Sequence, residues 1–238
     1  MRGWIAVVTV VVSAGCGGSG SDSLPQDGEP VELDPADFVA RVDNPYWPML
    51  PGSRWVYRES DADGTEMRVE VTVTERTKRI LGIDATVVHD VVTEDGELVE
   101  DTYDWYAQDT AGNVWYLGEA TKEYEHGKVV TTAGSWEAGV DGAQAGVVMP
   151  AKPRVGLAYR QEHYAGEAED RGRVLSLDER VEVPFGSFDG VVMTKDWTPL
   201  EPDVLEHKFY ARGVGPVLAL GLSGGGGREE LVRFESGA

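Results

Sequence analysis

An all-β domain, made of a single strongly curved antiparallel sheet that is barrel-like or half-barrel, is the architecture the amino-acid sequence predicts, with a two-sheet β-sandwich as the alternative. Three observations carry this. Residues 66–75 alternate without a break, with Met67, Val69, Val71 and Val73 on one face and Glu66, Arg68, Glu70, Thr72 and Thr74 on the other, the period of a half-buried strand. Turn pairs such as Asp63-Gly64, Asp95-Gly96 and His126-Gly127 recur at hairpin spacing. Helical periodicity is almost absent. A chain of about a dozen short strands connected in sequence must hide its edges by closing or folding over.

The elements follow in order. Residues 17–30 are Gly, Ser, Pro and acid, a composition that buries little apolar surface, so residues 16–33 are expected to form a flexible tether. Asp34 as N-cap and Pro35 at the first helical position predict a turn or two of helix within 34–42. Pro45, Pro48 and Pro51 then forbid helix and force extended backbone. After a turn at Pro51-Gly52, Trp55 and Tyr57 alternate with Arg54, Val56 and Arg58 as a strand requires. Beyond residue 75, strands are expected over 84–94 and 97–108 around Asp95-Gly96, and over 113–119, 121–125 and 128–132. His126 tolerates left-handed backbone and reads as a turn residue. Residues 136–156, rich in Gly, Ala and Val, exceed a hairpin connection and are expected as a surface loop, with Val147 to Met149 plugging a barrel end or lining a pocket. Strands resume over 157–165, 171–183, 190–197, 203–211, 215–222 and 229–234, with a turn at 184–190.

The stretch from Asp43 through Asn44, Pro45, Tyr46, Trp47 and Pro48 to Pro51, Gly52, Trp55 and Tyr57 resembles the start of the globular part in a group of uncharacterised exported bacterial lipoproteins. Residues 101–109 and 139–144 extend the resemblance, which covers Asp43 to about Gly215. It implies an exported location and an all-β fold, and no activity.

The N-terminus carries the address. Arg2 is a one-charge n-region, Trp4 to Val12 an apolar core, and Ser13, Ala14 and Gly15 the small residues of a cleavage site. Cys16, the single cysteine, follows at once, an arrangement that resembles a lipobox, although Ser13 stands where Leu, Val or Ile is usual. The apolar run is shorter than the roughly 18–20 residues of a spanning helix. The expected organisation is a lipoprotein signal peptide over 1–15, a tether over 16–33 and one antiparallel β domain over 34–238. Cys16 is the expected lipid-attachment residue, its acyl chains, palmitate among them, holding the protein to a membrane of the bacterial cell envelope. With one cysteine, no disulfide within the chain is possible.

Composition narrows the partners. The formal net charge is −21, which repels phosphate backbones and excludes nucleic acid as a partner. It also disfavours polybasic attachment to anionic lipid, leaving acyl chains as the means of membrane association. Hydrophobic residues at 41%, with 7 Trp and 9 Tyr, suffice for a packed core.

Motifs that carry chemistry fail on context. Residues 221–225 spell a nucleophile elbow around Ser223, but glycines follow where a helix is needed and His207 precedes the serine. His89, His126, His163 and His207 show no zinc-type spacing. Glu162 and His163 with Glu167, Glu169 and Asp170 are expected as a solvated loop, and residues 61–66 as a turn rather than a calcium loop. No cofactor or metal site is expected. Tyr103, Trp105, Tyr106, Trp115 and Tyr116 cluster on adjacent predicted strands; most belong to the core. Tyr103, Trp105, Trp115 and Tyr116 are nevertheless the candidate ligand-binding residues, for an apolar or sugar-like molecule on the concave face. The leading functional expectation is a lipid-anchored, non-catalytic envelope protein. An exported hydrolase with a carboxylate-based site and a structural module contacting another envelope protein are the alternatives.

Overall fold

The computed structural model describes residues 24–61, 64–223 and 226–237. The leader, Cys16 and Asp63 lie outside the described residues. A single 3-10 turn, Pro35–Asp37, stands where a turn or two of helix was expected, with the Asp34 carboxylate accepting from the Ala36 amide. All the strands that follow join one antiparallel sheet, so the two-sheet sandwich does not form.

The strands are β1 (Phe38–Val39), β2 (Arg54–Ser60), β3 (Glu66–Ile80), β4 (Ile83–Glu94), β5 (Glu97–Asp109), β6 (Val114–Ala120), β7 (Glu123–Glu125), β8 (Lys128–Thr131) and β9 (Trp136–Glu137). The second half supplies β10 (Gln144–Met149), β11 (Ala158–Arg160), β12 (Glu162–His163), β13 (Arg171–Val183), β14 (Gly186–Trp197), β15 (Leu205–Ala211), β16 (Gly215–Ser223) and β17 (Arg228–Glu235). The turn chemistry read from the sequence operates as expected: Asp95 and Gly96 have φ of 50° and 84°, and His126 and Gly127 of 51° and 73°, the positive pairs that match the twist of a tight hairpin.

Neighbours run in sequence from β13 to β17. The last strand then pairs with the first long one, Leu231 opposite Tyr57, and the order continues through β2 to β6. The sheet nearly closes into a barrel because residues 136–156 are not a surface loop. Ala143 and Ala145 to Met149 are buried, and β10 pairs with β6, Val147 opposite Trp115. A strand covered on both faces has no period-two signature, which is why its sequence reads as featureless.

The seam lies between β10 and β12, joined at Gln144 to His163 and Ala145 to Glu162. Gly146 permits it, since a Cβ there would sit under 3.0 Å from the backbone carbonyls of Gln161 and Arg160. Gly146→Ala is accordingly expected to cost about 1–3 kcal/mol and to speed amide exchange in β10 and β12, read by hydrogen exchange against an unchanged β3–β4 hairpin. Unaltered seam protection would contradict this role.

Two segments pack on this frame. Residues 43–53, the proline-rich stretch, cross one end of the barrel, where the Trp47 ring lies 5.7 Å from Tyr106 and 5.5 Å from Tyr210. Asn44 pins it, accepting from the Tyr46 amide and donating to the Gly112 carbonyl at 2.8 Å. Residues 24–33, part of the segment read as a tether, lie against the seam. Arg160, 1% exposed, donates through Nη1 to the carbonyls of Asp27 and Glu29 at 2.7 Å each and through Nη2 to that of Ala145 at 2.8 Å. An ion pair from Asp27 to Arg171 at 2.6 Å adds to this hold.

Candidate functional site

Cross-strand register decides what faces the barrel interior. Directly opposed residues share a face, so Trp55, Val71 and Asp90 form one inward row and Val73, Val88 and Asp104 the next. On the far wall Thr194 opposes Lys208, and Val192 opposes Tyr210. Between these walls is a cavity of about 230 Å³. Its apolar part is Trp47, Met49, Trp55, Tyr57, Val71 and Tyr210, and its charged part is Asp90, Asp104, Glu229 and Lys208.

The polar tips of two of these aromatic residues are satisfied within the protein. Trp55 Nε1 donates to the Val214 carbonyl at 2.8 Å and Tyr57 Oη to that of Pro216 at 3.0 Å. Both rings line the cavity. The carboxylates are less well provided. Asp90 Oδ1 is buried and has no hydrogen-bond partner among the described residues. Burial, then the nearby Asp104 charge, pushes its carboxyl well above the usual range. Burial, followed by Glu59, raises Glu229 to about 7, and burial raises Asp104 to about 6. Lys208 Nζ lies 3.5 Å from both Asp196 Oδ2 and Glu206 Oε2. Burial disfavours its charge, yet these two carboxylates hold the ammonium above its ordinary range.

Beside the cavity, Tyr116 Oη lies 2.7 Å from Asp104 Oδ1 and 2.8 Å from Glu119 Oε2. One phenol proton cannot serve two carboxylates, so satisfying both contacts requires a proton on one carboxyl, donated to the phenol oxygen. Burial and the Asp104 charge raise Glu119 to about 7, which places that proton near neutrality. A further acid, Glu162, accepts from Trp136 Nε1 at 2.8 Å. Glu162 is therefore buried beneath the seam, whereas the sequence placed it in a solvated loop; the indole partner that makes its burial tolerable is 26 residues away.

The four aromatic residues singled out from the sequence do not come together. Tyr116 faces inward, stacked on Tyr106 at 4.8 Å. Tyr103 and Trp105 occupy the outer face of β5: Tyr103 stacks on His89 at 4.3 Å, and Lys78 Nζ lies 3.2 Å from the Trp105 ring. Trp115 is also outside, its Nε1 donating to Asp109 at 2.8 Å and its ring edge-on to Phe38. The residues sequence reasoning missed are the charged ones. Asp90 alternates with Val88 and Val92, Asp104 with Tyr106 and Lys208 with Tyr210, and ionisable residues on an otherwise apolar face were the signal available. Cys16 falls outside the described residues. Ser223 ends β16 and donates to the Asp203 carbonyl at 2.6 Å; residues 224–225 lie outside the described residues, and the next described element is the strand β17.

Fold and cavity together define a nearly closed, single-sheet antiparallel barrel with an ionisable interior. No protein-family model matches the chain, and no curated protein matches it. Two solved structures are similar. One is a protein from Bacteroides fragilis described as exported and as having a YmcC-like fold, with TM-score 0.47 and 14% identity over 80% of this chain and 99% of that one. The other, from Parabacteroides distasonis, is described as a lipoprotein, with TM-score 0.38 and 13% identity over 80% and 98% of the two chains. Likeness of this degree says nothing of ligand or activity.

Proposed function

We propose that the chain is a lipoprotein of the bacterial cell envelope, exported by its leader and anchored through acyl chains on Cys16, whose barrel holds a small, largely apolar molecule without transforming it. The observation that carries this reading is the interior cavity, lined by Trp47, Trp55, Tyr57 and Tyr210, because concave apolar sites with a few converging polar groups are where small ligands bind. The hydrolase alternative is less favoured, since Asp104 and Glu119 are engaged with one tyrosine hydroxyl rather than flanking an open cleft. Seven residues separate Cys16 from Leu24, a reach of at most about 28 Å, so such an anchor holds the barrel close to the membrane.

Native mass spectrometry of the full chain, purified gently from its own membrane fraction, tests both parts. The expected spectrum shows a diacylglycerol adduct at Cys16 and a further mass on the protein that organic extraction removes. An unmodified cysteine would overturn the anchor, and a bare barrel after gentle purification would overturn the carrier reading.

A further inference from the structure

Resting on the carrier reading, we infer that the barrel's ligand is an organic cation, an ammonium group on an apolar body. Charge complementarity is the argument. Among the described residues lining the cavity, Asp90, Asp104 and Glu229 are acidic and Lys208 is the one cation. Lys208 is already flanked by Asp196 and Glu206, so it does not offset the three acids, and a ligand carboxylate would enter against a surplus of negative charge. Asp104 Oδ1 is engaged by Tyr116. Asp90 is the acceptor in want of a donor, its Oδ1 buried and unpartnered in a cavity it helps to line. An unpaired polar atom at such depth is costly, and an ammonium N–H satisfies it with a charge-assisted bond. The aromatic rings of Trp55, Tyr57 and Tyr210, which line the cavity, complete the fit, since aromatic rings attract cations and accept apolar chains alike. A neutral apolar ligand would use the rings and leave Asp90 unsatisfied.

The test is isothermal titration of the purified full chain with three six-carbon probes of one shape: hexylamine, hexanol and hexanoate, in phosphate buffer at about pH 8, above the values of about 6 and about 7 to which Asp104 and Glu229 are raised. Hexylamine is expected to bind at least about tenfold more tightly than hexanol, the worth of one charge-assisted hydrogen bond, and hexanoate more weakly than either. Asp90→Asn, which keeps the shape and removes the charge, is expected to abolish the preference for amine over alcohol while hexanol still binds. Should that variant not fold, Glu229→Gln is expected to reduce the same preference. Equal binding of amine and alcohol, or tightest binding of hexanoate, would overturn the cation inference and leave the apolar-ligand reading standing. Binding of none of the three would overturn the carrier reading, and this inference with it.

Discussion

Arg160→Met is expected to destabilise the protein by about 3–5 kcal/mol, the range for breaking a buried charged hydrogen-bond network. The side chain is the largest of those fully buried, and its guanidinium serves three backbone carbonyls, those of Asp27, Glu29 and Ala145. Methionine fills similar volume but offers none of the donors, so the carbonyls regain partners only if residues 24–33 leave the seam and hydrate. Arg160→Lys is expected to recover little, because a single ammonium cannot reproduce the planar fork that reaches carbonyls on both sides of it. Urea unfolding measures the loss. Hydrogen exchange locates it: protection at the Val31 amide, which donates to Gln144 Oε1, should vanish in both variants. A Met variant that keeps this protection would show that the segment is held by something other than Arg160.

The second large effect is on the pH dependence of stability. Glu119 is raised from 4.5 to about 7, Asp104 from 3.8 to about 6 and Glu229 from 4.5 to about 7. Between those limits the folded state holds protons that the unfolded chain has released. Folding is then favoured at the acidic side, and stability falls as pH rises from about 4 to about 7, levelling above. The full penalty for Glu119 alone is about 3 kcal/mol. Glu230, lowered by its bonds to Arg58 and Arg228 against the effect of burial, works in the opposite sense and matters only at lower pH.

Glu119→Gln isolates the interior contribution. Its amide donates permanently to the Tyr116 oxygen, which frees the phenol proton for Asp104 and removes the need for a titrating proton. The variant is expected to be about 1–3 kcal/mol more stable than the natural protein near pH 8, with little difference near pH 5. Urea unfolding at the two pH values checks this. A variant less stable near pH 8 would mean that the Glu119 carboxylate is ionised and satisfied there.

Local chemistry wrote much of this fold into the chain. The unbroken alternation of residues 66–75, the Asp95-Gly96 and His126-Gly127 turns, and the capping of Pro35–Asp37 by Asp34 depend on neighbours a few residues away, so composition and spacing reveal them. The all-β class and the antiparallel, sequentially connected sheet follow from these elements alone. What the sequence could not express was long-range pairing. Residues 136–156 read as a loop because β10 is buried on both faces, and its strand partners β6 and β12 are not joined to it by a hairpin turn.

The site turned on the same limitation. Residues 104–108 of β5 are buried on both faces: Trp105 is covered from outside by Lys78 on the far end of the long β3, while Asp104 and Tyr106 face the cavity. Periodicity groups Tyr103 with Trp105 and Asp104 with Tyr106, but it does not say which group is inside, and a one-residue change of face exchanges them. Local sequence carries most of the strands and turns, β10 excepted, and which residues of each strand share a face. Closure of the sheet decided which face became the interior, because it sets the register of strands distant in the chain and gathers Asp90, Asp104 and Glu229 around one cavity.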